Sequence, residues 1–557
     1  MFQFRYTLFP LLATTFSFHI AAQPAATDKV KVKVRISGDQ DADARIMPYS
    51  IIRSSPTSIM MLRSPEFDVR AFTKLTPRLD LYDREKLTYI RSMEPVMQRL
   101  HQEKLLLEDL VLFNKKPMLV ARGGGDQEVV LYTQYVDPHL TKQPPAFDRL
   151  CTFPVQVKEH RAVIVQAGSA TREPWYTAFS PDSTRMLIHS PELKDTDDGG
   201  AFILLAMVNK DLTVEWQHIL RLSDKYNRTE ALDVEIDNNG TAFLLVKNRF
   251  KGREIKGDIV NFEVMLHKVN ANDITETPFP FDAGYYPTGG ILQTLTDGRV
   301  ACVGIYAQVE GRKLLGNFIA FLHADSASMG FPQLMPFSGE GDLNEELAEE
   351  EVVNEKEEKK EEEDATKAEQ KDKKRMNANT DVIAILPRVN GGFYLVNEVN
   401  YSAVYTNMQS GRRDQRFYHG PVQARCFEKD GTEKWSTIFR RWTVSGSPIL
   451  GRVFPAEFND QLYLFLWDSE EMAERRKEGL RIAPKHAGSP YSAYTVFDEK
   501  GGYRTKAVLK NDSDEDFISG WNLVRTGRDE YIALGTEKLV SGKFLPVRID
   551  FIKETKK

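Results

Sequence analysis

Short runs rich in Val, Ile, Leu, Phe and Tyr are divided by turn dipeptides at a regular interval, and a second hairpin recurs with matched residues. Together these features predict an all-β fold, a β-propeller of seven or eight four-stranded blades. Helical periodicity is nearly absent across the 557 residues. Length alone would suggest two or three domains. A propeller puts this many residues into one closed body, so 23–557 reads as a single domain.

The chain opens on a targeting segment. One positive charge, Arg5, precedes an apolar run from Leu8 to Ile20, and small residues follow at Ala21 and Ala22. That order describes a secretory signal peptide over 1–22, with export to the periplasm or the cell exterior. The run is too short to span a bilayer and is broken at Pro10; no later stretch is long and apolar enough, so no membrane span is expected. A lipid anchor would need a Cys just after the cleavage site, and the first is Cys151. Cys151, Cys302 and Cys426 are widely spaced, with no CxxC pair for zinc. Buried reduced thiols are the plain reading, and one long-range disulfide stays open.

The alternating stretch from Lys29 to Ile36 is a strand without a local partner. Bends then follow at Asn114-Lys115, Ser180-Pro181-Asp182, Asp237-Asn238-Asn239-Gly240, Asp297-Gly298, Asn390-Gly391, Asn459-Asp460 and Thr526-Gly527. Asn, Asp and Gly supply the positive φ that tight hairpins require. With one charged insertion set aside, the bends lie roughly 55 to 70 residues apart, one blade per unit. The second hairpin occupies 208–216 and 427–435, which share four of nine residues and end on Trp216 and Trp435. Each unit thus reads as strands a and b joined by one bend, then c and d by another. The last unit supplies only three strands, ending at 545–551. Val30 to Ile36 is expected to add the fourth and close the ring, hiding a sheet edge. A degenerate first unit over 46–93 brings the count to eight; without it, seven.

One segment breaks the pattern. Residues 340–375 hold sixteen acids and eight bases, with little to bury, and read as a disordered or fraying-helical insertion. Its net charge exceeds the −6 of the whole chain, so the remainder is slightly basic. Near-neutral composition argues against a dedicated nucleic-acid binder.

The bend at Ser180-Pro181-Asp182-Ser183 resembles that of TolB-like propellers, and 427–435 resembles the Asp-Gly…Trp bend of PQQ-like blades. The order of elements is similar to an uncharacterised family of exported Gram-negative bacterial propellers, over nearly the whole mature chain. The matching pieces are 86–91, 130–134, the Ser180 bend, 237–240, the charged insertion and 422–435. The resemblance implies fold and export; that family carries no activity to transfer.

Chemistry is sparse. The ten histidines are scattered without metal-ligand spacing, and no nucleophile elbow, Walker loop or dinucleotide fingerprint occurs. No catalytic residue, metal or cofactor is predicted. The glycines after Arg122 lead into a strand rather than a helix, and 512–516 lacks the Gly and Glu of a calcium loop. The long b–c connections are more informative, because they emerge on one face together with the d–a connections. Residues 247–258 carry Arg249 and Arg253. Residues 401–419 carry Arg412, Arg413 and Arg416 beside Tyr405, Phe417 and Tyr418. Residues 468–486 include a helix capped by Asp468 or Ser469, with Arg475 and Arg476. Basic residues interleaved with aromatics suit anionic or sugar-like ligands. The expected function is therefore non-catalytic binding or scaffolding of a protein or glycan partner by a monomer. The alternative is a carbohydrate- or peptide-cleaving enzyme with carboxylates in the central funnel; paired Asp/Glu about 5 to 10 Å apart would favour it. The acidic insertion, a d–a connection, is expected to screen the basic face.

Overall fold

The bends read from the sequence each close an antiparallel hairpin. Positive φ falls at Asn114, Lys115, Ser183, Gly240, Gly298, Gly391, Asn459 and Asp460 between strands a and b, and at Leu212, Gly431 and Gly501 between c and d. The computed structural model describes residues 30–38, 48–63, 77–95, 99–100, 103–124, 127–157, 164–166, 169–171, 175–194, 200–251, 260–282, 284–309, 314–322, 331–337, 379–406, 413–446, 451–480, 482, 489–509, 517–536 and 544–553. Residues 1–22, expected to be a signal peptide, and the charged insertion at 340–375 lie outside them.

Eight antiparallel four-stranded blades form a propeller. Their innermost strands, a, are Pro48–Arg53, Leu106–Phe113, Tyr176–Phe179, Tyr226–Ile236, Tyr285–Thr294, Asn379–Pro387, Phe454–Phe458 and Phe517–Arg525. The degenerate first unit is a true blade, so the count is eight. Blade 8 takes its outermost strand from Val30–Ile36, which pairs antiparallel with Phe544–Lys553, Val32 opposite Phe551 and Ile36 opposite Val547. The ring closes as the sequence indicated.

The core is divided among the seams between blades. Blades 4 and 5, for example, share Phe243, Leu245 and Val264 with Leu292, Val300 and Phe318. Blades 8 and 1 share Ile532 and Leu534 with Ile51, Ile59 and Met61. A strand buried on both faces reads as a continuous apolar run, and strand b of blade 7, Gln461–Asp468, is buried from Leu462 onward. Trp216 and Trp435 each stand third in strand d of their blades, just past a one-residue bulge, and each is 8% exposed. They occupy one step of one repeat. The Trp216 indole N–H donates to the Gly240 carbonyl at 3.1 Å, and Trp435 stacks on Phe497. Cys151, Cys302 and Cys426 are buried free thiols.

Two segments expected as loops are strands. Strand b of blade 4 runs on to Phe250, so Lys247 and Arg249 belong to a sheet. In blade 6, Phe393–Thr406 and Arg413–Phe427 pair along most of their length, Tyr401 opposite Tyr418 and Thr406 opposite Arg413. This hairpin arm stands beyond the body of its blade, since strand d, Glu433–Phe439, covers only its base. Polar and aromatic residues mixed along both stretches hide the alternation that marks a half-buried strand.

Candidate functional site

The b–c and d–a connections emerge on one face, which has two charged regions. The first is the seam of blades 6 and 7. A short fifth strand, Thr443–Ser445, pairs with the arm at Phe417, Tyr418 and His419. Tyr401 stacks on Tyr418 with centroids 4.5 Å apart, and Trp442, Met472 and Ile482 complete a small core beneath the arm. Helix α1, Glu470–Lys477, supplies Met472; its N-cap is Ser469, whose hydroxyl accepts from the Met472 N–H at 3.2 Å.

Buried charges lock this seam. Glu398 on strand b of blade 6 and Arg441 are both fully buried, Oε1 to Nη1 at 3.2 Å. Glu398 also accepts the Val453 N–H at 3.1 Å, and Arg452 and His419 lie near its other oxygen. Burial opposes its charge, but His419, Arg441 and Arg452 together hold its carboxyl below the usual range. Arg441 donates to the Thr443 hydroxyl and to the Gly451 carbonyl. Arg452 reaches Asp381 at 2.6 Å. Arg476 pairs with the buried Asp468, donates to the Arg440 carbonyl and lies over the Phe439 ring.

The second region is the cleft between blades 4 and 5. Arg228 on strand a lies directly opposite Arg249 on strand b, which lies opposite Phe262 on strand c (Phe262–Val269). One step below, Glu230 faces Lys247. Lys247 donates to the Thr288 carbonyl of blade 5 at 2.7 Å and sits 4.1 Å above the Phe262 ring. Burial, then Arg249, pushes its ammonium below its ordinary range. Phe262 meets Tyr286 of blade 5 edge to face, and Tyr285 at the rim is 38% exposed.

Deeper on the same strand the charge reverses. A one-residue bulge at Leu232 resets the register, and Asp233 and Glu235 follow at the two-residue spacing of one strand face. Asp233 accepts the Leu292 N–H of blade 5 at 2.7 Å and its neighbour Val234 N–H at 2.9 Å. Glu235 accepts from the Thr294 hydroxyl at 3.0 Å. Both are half-buried, and burial pushes Asp233 up to about 6. Burial, then Asp233, pushes Glu235 up to about 8. Asp109 holds the equivalent post-bulge place in blade 2, accepting from Ser50 of blade 1 at 2.5 Å and Thr177 of blade 3 at 2.9 Å. A carboxylate after the bulge thus ties neighbouring blades at the centre of the ring.

No family model and no curated protein matches this chain. Among solved structures it is similar to a protein of unknown function from Dyadobacter fermentans at 10% identity, covering 82% of this chain and 98% of that one, TM-score 0.30. The Nup133 β-propeller domain of Vanderwaltozyma polyspora is similar at 9% identity over 81% and 98%, TM-score 0.33. The polysaccharide lyase Uly1 is similar at 8% identity over 75% and 86%, TM-score 0.34. These likenesses carry no argument about ligand or chemistry.

The structure sorts the candidate residues. Arg249 stands in the cleft. Phe417 and Tyr418 are buried at the base of the arm, and Arg476 is committed to Asp468, so these three brace the face. Arg416 is exposed on the arm and Arg475 is half-buried on the helix. Tyr405 and Arg413 lie on the arm's paired strands. Arg253 and Arg412 lie outside the described residues. Sequence reasoning missed Arg228, Asp233 and Glu235, because it looked for site residues in the long connections and not along the innermost strands. The available signal was the alternation Tyr226, Arg228, Glu230, which is polar and so invisible to a search for apolar periodicity.

Proposed function

We propose that this chain is an exported binding propeller that holds a protein or glycan partner on its b–c and d–a face. One observation carries the reading: the fold commits a buried ion cluster, Glu398 with Arg441, to holding a projecting hairpin arm in place. Buried ion pairs add little stability compared with apolar packing, so a presented arm is what this one secures. Preorganised loops bind more tightly because less ordering remains to be done. The acidic insertion, entering after strand d of blade 5 and leaving at strand a of blade 6, would screen the same face from anionic partners.

The test is to replace 403–414 with a short turn and compare retention of native-envelope components by the two mature proteins. Components held by the wild type should be lost by the variant, with thermal stability kept. Equal retention would overturn the reading. Export is checked by sequencing the N-terminus of the mature protein, which should begin at Gln23.

A second reading, a carbohydrate- or peptide-cleaving enzyme, is favoured by the Asp233 and Glu235 pair, whose raised affinity for protons suits acid–base work. Against it, both carboxyl groups are already engaged by blade 5. Release of new ends from a panel of polysaccharides and peptides, abolished in Glu235→Gln, would decide for the enzyme.

A further inference from the structure

Arg228 and Arg249 form a juxtaposition that folding alone does not explain. Residues directly opposite on antiparallel strands leave the same face with Cβ atoms about 4.5 to 5.5 Å apart, and like charges there are destabilising. Lys247, two residues before Arg249 on the same strand, adds a third cation to that face. Among the described residues no carboxylate forms an ion pair with Arg228 or Arg249; Glu230, across from Lys247, is the acid nearest in register. The contrast with Arg441 and Arg476, each matched to a buried carboxylate, is sharp.

The surroundings narrow the chemistry. Phe262 and Tyr286 wall the cleft, and Asn227 offers an exposed amide beside Arg228; Tyr285 leaves the other face of its strand, against Tyr306. Gly284, just before Tyr285, has open space where a side chain would be. A planar guanidinium fork suits a carboxylate or sulfate, and aromatic faces suit the C–H faces of a sugar ring. A bare inorganic anion would use the guanidinium groups and leave the aromatic walls idle.

We propose that the upper end of the blade 4–blade 5 cleft is a binding site for an acidic sugar residue, its carboxylate or sulfate held between Arg228 and Arg249 and its ring against Tyr286. This deepens the binding reading and rests on it. The cations lie at the open end and the protonatable pair Asp233 and Glu235 lies below, so an anionic chain would be held near the rim.

The test is calorimetric titration of the full mature protein at low salt with oligogalacturonate, a heparin oligosaccharide, a neutral maltooligosaccharide and inorganic sulfate. The expected result is binding of one or both acidic oligosaccharides, no binding of the neutral one, and about tenfold weaker affinity in Arg228→Ala and in Arg249→Ala. Heparin carries carboxylates as well as sulfates, so binding of oligogalacturonate assigns the carboxylate, and binding of heparin without oligogalacturonate assigns the sulfate. Arg249→Lys should recover only part of the loss, because an ammonium cannot grip bidentately. Tyr286→Ala should weaken the oligosaccharide and leave sulfate unchanged. Unaltered affinity in both arginine variants would overturn the site. A sulfate affinity equal to that of the oligosaccharides, with Tyr286→Ala silent, would overturn the sugar. Replacing 403–414 should leave this titration intact, so failure of the arm and failure of the cleft read out separately.

Discussion

The seam of blades 6 and 7 and the cleft of blades 4 and 5 lie on the same face and are both rich in arginine, yet they use it in opposite ways. At the seam each buried guanidinium meets a carboxylate, Arg441 with Glu398 and Arg476 with Asp468, and the result is a closed brace under the arm. In the cleft Arg228 and Arg249 meet each other. A count of basic residues in a connection therefore says little about what they are for; the residue on the next strand decides it.

The comparison can be broken most directly at Glu398. Glu398→Ala leaves Arg441 buried and unpaired, and should cost about 3 to 5 kcal/mol in urea unfolding. A loss below 1 kcal/mol would mean that the seam is less closed than its geometry. Trp435→Ala, in the same blade but away from the charges, should cost about as much, 3 to 5 kcal/mol, by opening a cavity against Phe497; its repeat partner Trp216→Ala should match it. Unequal losses would show that the two steps of the repeat are not equivalent in energy.

The two regions should also respond to pH with opposite signs. Glu398 is held below its ordinary value in the folded state, so its contribution is present above the ordinary carboxylate range and is lost as pH falls through its folded value. Glu235 is raised to about 8, so the folded protein holds its proton more tightly, and stability falls as pH rises from the ordinary carboxylate value towards 8. Asp233, raised to about 6, contributes to the lower part of the same decline, so Glu235→Gln should flatten the fall in melting temperature between about pH 6 and 8 and leave the acid side unchanged. A decline between about pH 6 and 8 that persists in the variant would assign it to another group. The smallest effect belongs to Arg228→Ala, which should change stability by less than about 0.5 kcal/mol or raise it slightly, because it removes a like-charge neighbour from an exposed position. A marked loss would mean that Arg228 holds the fold together after all.

Much of the architecture was legible because it rests on local chemistry. The bends at Asp237 to Gly240 and at Asp297-Gly298 announce themselves through residues that tolerate positive φ, and the orphan strand at Val30 through its alternation. The helix after Asp468 was legible from its cap. What stayed hidden depends on neighbours far off in sequence. Arg476 and Arg249 look alike until Asp468 and Arg228 are placed beside them. The bulge before Asp233 is a one-residue slip in pairing, and nothing in composition marks it. The arm could not be told from a loop, because paired strands that project beyond a blade lack the one-sided burial from which strands are read.

The strand at Val30–Ile36 leaves one more consequence. Among the described strands it is the first to be made, and its partner, Phe544–Lys553, is the last. Seven blades can pair within themselves as they are completed, whereas the eighth waits for both ends. Joining segments so distant in sequence is slow, so ring closure is expected to be the late step, with the exposed edge of Phe544–Lys553 vulnerable until the chain's own beginning returns to cover it. A permuted chain that carries 30–36 directly after 553 would turn that late meeting into a local hairpin.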